Sequence, residues 1–164
     1  MEIKQAMQKA LEFEEKGRGI YKEAAEKTGN PIVEKTFNYL ADQEKEHIAE
    51  IKDYLENNNI GFKGEKPEHT KEFFTMTTKE FKEKTELSDD DIKAHETALE
   101  LEKESYNFYK EQHDQAKDEE LKRFFKFLMG QENAHYELVD KAYQFIKNPE
   151  AFYTEEEKWM ADGG

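Results

Sequence analysis

The chain contains no cysteine among its 164 residues and only three prolines, at positions 31, 67 and 149. Without thiols it can form no disulfide, no thiolate metal site and no cysteine nucleophile. No apolar run approaches the ~20 residues that a membrane-spanning helix needs, and the first residues, MEIKQAMQKA, lack the apolar segment of a secretory signal. We therefore expect a cytoplasmic protein without membrane association.

Positively charged residues are fewer than negatively charged ones. The chain has 25 Lys and Arg and 39 Asp and Glu, which gives a formal net charge of −14. Such a surface repels nucleic acids and anionic membranes, and we expect neither as a partner. High charge can indicate disorder, but an aromatic content of 13% and regular apolar spacing favour a folded helical protein. The length fits one compact domain.

Glycine, proline and capping residues predict four long helices. The first covers residues 3–28 and stops at Gly29, and Asn30-Pro31 caps a second that continues to about residue 56. The short loop between them predicts an antiparallel hairpin, which we place at residues 1–58.

The second half repeats this organisation as a hairpin over residues 88–147, in which Ser88 caps the first helix and Asp118 begins the second. Residues 59–87 form a long crossover connection, in which EHTKEFFTMTTKEFKEK predicts a short helix. Residues 148–164 form a C-terminal tail that we expect to pack back on the bundle.

The two hairpins match in sequence at a constant offset of 88 residues. ALEFEEKGRGIYKE from Ala10 aligns with ALELEKESYNFYKE from Ala98, and FNYLADQEKEH from Phe37 aligns with FKFLMGQENAH from Phe125. The pattern predicts an all-α fold in which two duplicated hairpins form a four-helix bundle with pseudo-twofold symmetry.

Ionisable residues interrupt the apolar stripe of each long helix. Core positions recur at spacings of three and four, starting at Ile3 in the first helix, and neighbouring acids such as Glu50 are expected at the surface. The first and third helices each place one glutamate on the stripe, and the second and fourth each place a Glu-x-x-His pair there. The inward set is Glu14, Glu44, His47, Glu102, Glu132 and His135.

Four carboxylates cannot share an apolar interior without compensation, because burial of an ionised group is costly and mutual repulsion forces protonation. Two divalent cations would balance their charge, with one neutral imidazole on each cation. One Glu from each of two helices and Glu-x-x-His from each of the other two is the ligand pattern of dinuclear carboxylate sites in bundles. The alternative, a metal-free polar network, would need donors, yet no Lys or Arg falls in these layers.

Carboxylate oxygens with some imidazole favour iron or manganese, and iron is the predicted metal, although zinc could occupy the site. Tyr21 and Tyr109 lie seven residues beyond the glutamates of their helices. Each is predicted either to hydrogen-bond a ligating carboxylate or to be a core tyrosine with its hydroxyl bonded elsewhere. His95 is predicted to be a core histidine rather than a ligand.

The repeated ALxxE…Y and LxxxExxH motifs, separated by the long connection, resemble the rubrerythrin group of the ferritin-like superfamily over residues 1–147. The resemblance implies a ferritin-like bundle that binds two iron ions and no haem, because Lys45 stands where the haem-ligand methionine of bacterioferritin would be. It implies that the inward set ligates iron and that Tyr21 and Tyr109 assist the ligands.

Two departures from the family pattern are visible. The rubredoxin-like domain of many rubrerythrins needs four cysteines, which this chain lacks, so electrons would come from another protein, such as a rubredoxin-like carrier. Ser105 stands where rubrerythrins usually have a further carboxylate, and the remaining six ligands also match bacterioferritin.

The resemblance implies a di-iron peroxidase that reduces hydrogen peroxide. The alternative is a ferroxidase that oxidises Fe(II) and passes the iron to storage. The third alternative is a non-enzymatic helical protein stabilised by metal. A homodimer is expected, with or without exchange of helices between chains.

Overall fold

The computed structural model describes residues 3–58, 67–80 and 86–148, and within these ranges the chain is entirely helical apart from the loops between helices. Its helices are α1 (Ile3–Lys27), α2 (Pro31–Asn57), α3 (Pro67–Glu80), α4 (Asp89–Gln115) and α5 (Glu119–Lys147). The three long helices whose ends were predicted, α1, α2 and α5, end within one residue of the predicted positions. The short helix predicted in the connection is confirmed as α3. The tail and most of the crossover's remainder lie outside the described residues, and the division into 1–58, 59–87, 88–147 and 148–164 stays a prediction.

Side-chain caps fix where the long helices begin. The Asn30 side chain accepts hydrogen bonds from the backbone N–H groups of Ile32 and Val33, and Pro31 occupies the first turn of α2. Ser88 and Asp91 form a reciprocal capping box at the start of α4. These caps set the helical register from which the buried faces follow.

Two hydrogen bonds tie the loop between α1 and α2 to the start of α4. The Thr28 hydroxyl donates to Asp91 Oδ1 at 2.7 Å, and the Asn30 amide donates to the Glu86 carbonyl at 2.8 Å. The loop of one hairpin is thereby held against the first turn of the other, so the two hairpins are fixed relative to each other along the bundle.

The apolar core is divided into two clusters. One contains Tyr21, Phe37, Leu40 and Ala98 with the end of α5, and α3 contributes Phe74 to it. The other contains Met7, Ala10, Ile51, Tyr109, Leu121, Phe125 and Leu128. In each long helix the predicted ionisable positions fall between these two clusters. The sequence therefore builds two apolar layers with a polar layer between them.

The predicted burial of two residues is wrong. Ile3 was expected to open the core stripe of α1, but it is 46% exposed because it occupies the first turn, beyond the end of the core cluster. Glu50 was expected at the surface and is only 6% exposed, on the buried face of α2 one turn beyond His47.

Among the described residues, no helix combines the length and apolar character required to cross a membrane.

Candidate metal centre

The polar layer is assembled from one face of each long helix. Glu14 of α1 and Glu102 of α4 are each 1% exposed, and the Glu-x-x-His pairs of α2 and α5 are equally deep. Glu and His three residues apart lie on the same side of a helix, so both side chains of each pair enter the layer. All six residues of the predicted inward set are therefore buried together.

The first group of possible ligand atoms surrounds His47. Together with Glu14, Glu44 and Glu132 it offers four ligand atoms that all lie within 4.8 Å of one another. His47 Nδ1 lies 3.3 Å from Glu14 Oε2, 3.9 Å from Glu132 Oε1 and 4.0 Å from Glu44 Oε2. Three helices thus direct oxygen atoms toward one ring nitrogen of the fourth residue.

The second group surrounds His135 and contains Glu44, Glu102 and Glu132, again with all ligand atoms within 4.8 Å of one another. His135 Nδ1 lies 3.2 Å from Glu44 Oε1 and 3.7 Å from Glu102 Oε1. The two imidazole rings are nearly parallel, with centroids 5.7 Å apart. Because Glu44 and Glu132 belong to both groups, the arrangement is that of two adjacent sites joined by two carboxylates.

The two predicted tyrosines each hydrogen-bond a carboxylate of the opposite hairpin. The Tyr109 hydroxyl on α4 donates to Glu14 Oε1 on α1 at 2.6 Å, and the Tyr21 hydroxyl on α1 donates to Glu102 Oε1 on α4. Burial, together with the negative charge of the nearby glutamates, raises the pKa of both tyrosines well above the usual value. Both hydroxyls therefore stay protonated and act as donors that orient Glu14 and Glu102.

The carboxylates of the layer cannot all ionise in the absence of positive charge. Burial and the negative charges of Glu102 and Glu14 raise the pKa of Glu132 well above the usual value. Burial also acts to raise the pKa of Glu102, but hydrogen bonding to Glu132 and the charge of His135 outweigh it and lower the pKa. Burial and mutual repulsion therefore oppose the ionisation of both glutamates at once.

The residues of the layer fit a pair of divalent cations. Several buried atoms lack a hydrogen-bond partner among the described residues, namely Glu102 Oε2, Glu132 Oε1 and both ring nitrogens of His135. No described lysine or arginine forms an ion pair with the four carboxylates. Cations would bind the unused lone pairs and neutralise the charge that protons otherwise have to neutralise.

His95 is a core histidine, as predicted, and the two other histidines outside the layer are less buried. His95 is fully buried, its Nδ1 lies 2.7 Å from the Asp91 carbonyl oxygen, and its ring stacks on Tyr143 with Phe37 at its edge. Burial lowers the pKa of His95. His69 is exposed, and His113 is partly buried.

Sequence reasoning missed two buried glutamines beside the centre. Gln43 and Gln131 directly precede Glu44 and Glu132, and they are 3% and 1% exposed. Both belong to the repeated Gln-Glu dipeptide, 88 residues apart, and that repetition was the available signal. An amide next to an acid on a helix is otherwise typical of a solvated face, so each Gln-Glu pair taken alone predicts an exposed glutamine.

Comparison with known proteins identifies the family. The family model described as rubrerythrin matches residues 5–143, which is most of the chain. The chain belongs to the rubrerythrin family, whose members are ferritin-like, typically bind iron and are generally of oxidoreductase type. A search of curated proteins and a search of solved structures found no match.

Proposed function

We propose that this rubrerythrin-family chain holds a dinuclear iron centre and reduces hydrogen peroxide to water with electrons from an external carrier. The observation that supports the proposal is the pair of four-residue groups that share Glu44 and Glu132, each with one buried histidine. Glu14, Glu44, His47, Glu102, Glu132 and His135 would hold the metals. Manganese or zinc could occupy the same oxygen-rich site.

A redox-active pair of metals held by these residues would supply two electrons, and its positive charge would stabilise the negative charge that develops on the peroxide oxygens as the O–O bond breaks. The overall reaction consumes one peroxide, two electrons and two protons, and produces two waters. The chain's own residues supply the geometry, since Tyr21 and Tyr109 keep Glu102 and Glu14 oriented from opposite hairpins. The apolar layers on either side limit bulk water in the centre.

The electrons have to come from another molecule. The chain has no cysteine and therefore no site of the rubredoxin type. We propose a rubredoxin-like protein as donor and the cytoplasm as the compartment.

Anaerobic stopped-flow spectroscopy tests the proposal. Iron-loaded, fully reduced protein is mixed with equal concentrations of hydrogen peroxide or oxygen, and the absorbance of the oxidised centre is followed. We expect faster oxidation with peroxide. Slow reaction with both oxidants would indicate that the metals only stabilise the fold, and a preference for oxygen would contradict the peroxidase proposal.

A ferroxidase is the second candidate, and residue 105 favours it. Ser105 is buried on α4 beside the centre, so α4 contributes one candidate carboxylate rather than two. That leaves the six-residue set, which also suits iron oxidation. Particle size separates the candidates, because iron storage requires a hollow shell of many subunits whereas a peroxidase needs none.

We also propose that the chain forms a homodimer, with or without exchange of helices, and that its two hairpins arose by duplication. The matched N-caps Asn30 and Asp118, 88 residues apart, support the duplication. The six candidate ligands come together within one chain, so the centre does not depend on exchange. Light scattering that shows only monomer would contradict the dimer.

A further inference from the structure

A pocket of about 180 Å³ lies between α4 and α5, directly outside the candidate metal centre. It is lined by Glu102, Lys103, Tyr106, Glu132, Asn133 and Tyr136. Two of these are candidate metal ligands that are nearly fully buried, and the other four are exposed or partly buried. The pocket therefore extends from the surface toward two glutamates of the centre, whose carboxylate atoms Glu102 Oε2 and Glu132 Oε1 are themselves buried.

The carboxylates at the inner end of the pocket have unused hydrogen-bonding capacity. Glu102 Oε2 and Glu132 Oε1 are buried and have no hydrogen-bond partner among the described residues. A small molecule that crosses the pocket would meet these groups first. A carboxylate at the inner end disfavours anions, and the phenol and amide groups of the lining can hydrogen-bond a small, neutral molecule.

The matching face of the other hairpin is built differently. Eighty-eight residues earlier, Tyr106, Asn133 and Tyr136 correspond to Arg18, Lys45 and Ile48. Ile48 is 8% exposed, whereas Tyr136 is 38% exposed. The α1–α2 face therefore places an aliphatic side chain and two cationic residues where the α4–α5 face places aromatic and amide groups around the pocket.

From this asymmetry we infer that hydrogen peroxide reaches the centre through the α4–α5 pocket, with Tyr106, Asn133 and Tyr136 setting the size of molecule admitted. This inference rests on the proposed function for the identity of the substrate. Liquid water occupies about 30 Å³ per molecule, so the pocket can hold peroxide and a few waters. We expect a hydroperoxide with a bulky aromatic group to pass these three side chains more slowly than hydrogen peroxide does.

Asn133→Trp tests the path, and Lys45→Trp is the matched control at the corresponding position of α2. Both positions are exposed, and neither belongs to the candidate ligand set. With equal iron content, we expect Asn133→Trp to slow the association of nitric oxide with the reduced centre by about tenfold, because the indole obstructs entry without changing the metals. Lys45→Trp should leave that rate unchanged.

Nitric oxide binding is independent of peroxide chemistry, so the two proposals can fail separately. If the wild type binds nitric oxide but does not react with peroxide, the peroxidase proposal fails and the path can still be measured. Equal nitric oxide rates for wild type and Asn133→Trp at equal iron content would overturn the path. Equal slowing by Lys45→Trp would overturn it as well.

Tyr106→Ala provides an independent test in the opposite direction, should the tryptophan variant fail to fold or load iron. Removing the ring widens the pocket, so oxidation by cumene hydroperoxide should accelerate relative to oxidation by hydrogen peroxide. Arg18→Ala is the matched control on α1 and should leave that ratio unchanged. An unchanged ratio in Tyr106→Ala would contradict the proposed size selection.

Discussion

The α1–α2 hairpin and the α4–α5 hairpin each contribute two glutamates and one histidine to the centre. The residues that surround these three differ between the hairpins. Glu14, Glu44 and His47 correspond to Glu102, Glu132 and His135 at the constant offset of 88, and the two tyrosines donate across the bundle in a reciprocal way. Beyond them, the buried Glu50 corresponds to Leu138. The comparison teaches that the buried glutamates and histidines are the same in both hairpins, whereas the packing around them and the route from the surface differ.

The largest expected effect comes from replacing the shared glutamates. Comparing the two variants also shows whether the two hairpins contribute equally to metal binding. Glu44→Ala and Glu132→Ala each remove an oxygen ligand from both groups, so bound iron per chain should fall in both variants. The loss of metal should remove about 3–4 kcal/mol of stabilisation, as expected for a ligand present well above its Kd. Metal analysis and denaturant unfolding with added iron give the two quantities.

Glu104→Ala is the control for the shared glutamates, since Glu104 is exposed on α4 and should leave iron content unchanged. A glutamate variant that retained two metals per chain would contradict the ligand assignment. Retention in only one of the two would show that the hairpins are not equivalent.

The next effect concerns the two tyrosines. Tyr21→Phe and Tyr109→Phe each remove a buried donor to a carboxylate, and each should lower the free energy of unfolding by about 1.5–3 kcal/mol, the range for hydrogen bonds to charged groups. Tyr136→Phe on the exposed face of α5 should have no measurable effect. Chemical denaturation of the three variants provides the comparison, and a clear inequality between Tyr21 and Tyr109 would show that the reciprocal bonds differ in strength.

A smaller effect concerns the pH dependence of the free energy of unfolding. His95 in α4 can titrate, whereas Met7, its counterpart in α1, cannot. The groups facing the imidazole are the Asp91 carbonyl oxygen of α4, the Phe37 ring of α2 and the Tyr143 ring of α5. The Asp91 carboxylate acts to raise the pKa of His95, but burial outweighs it, so the pKa lies below its usual value. The unfolded chain therefore takes up this proton first as the pH falls.

Stability from His95 is thus present above its unfolded pKa of about 6.5 and is lost as the pH falls toward the lowered folded pKa, by at most about 1.4 kcal/mol per pH unit. His95→Met should remove that dependence. Unfolding free energies of both proteins, measured from about pH 8 to about pH 5.5, should shift relative to each other in favour of His95→Met as the pH falls. Parallel curves would show that His95 does not titrate differently in the folded state.

Much of the fold could be predicted because local signals agreed with one another. The caps Asn30, Ser88 and Asp118 mark helix starts, and the spacing of apolar residues assigns a buried face to each helix. The candidate ligands were predictable for a related reason, since acids that recur on buried faces need positive charge close by. The offset of 88 removed the ambiguity that a single Glu-x-x-His pair would have left.

What could not be predicted depends on contacts between helices. Helical periodicity places Tyr21 on the same face as Glu14, but only the packing shows that its hydroxyl reaches Glu102 on α4. Glu50 and the two glutamines lie at the edges of the buried stripes, where a small rotation of the helix decides between core and surface. The α4–α5 pocket is likewise a property of packed side chains and leaves no periodic signal.

The smallest effect is expected at Gly17, which corresponds to Ser105 in the other hairpin. A Cβ at this position would lie 3.3 Å from Leu101 Cδ2 and 3.7 Å from Glu44 Cδ, so α1 approaches the centre closely here. Gly19 serves as the control, because a Cβ placed there would meet no atom within 4 Å. Gly19→Ala should raise the free energy of unfolding by about 1 kcal/mol through helix propensity.

Gly17→Ala should raise the free energy of unfolding by only about 0.5 kcal/mol, because the Leu101 methyl must shift by a few tenths of an ångström. Since the flexible leucine rather than Glu44 absorbs the contact, iron content should not change. Denaturant unfolding of the two alanine variants gives the difference directly, and metal analysis checks the centre. A loss of iron in Gly17→Ala alone would show that glycine is required for Glu44 to reach its position, and that the serine of the second hairpin relies on a different packing.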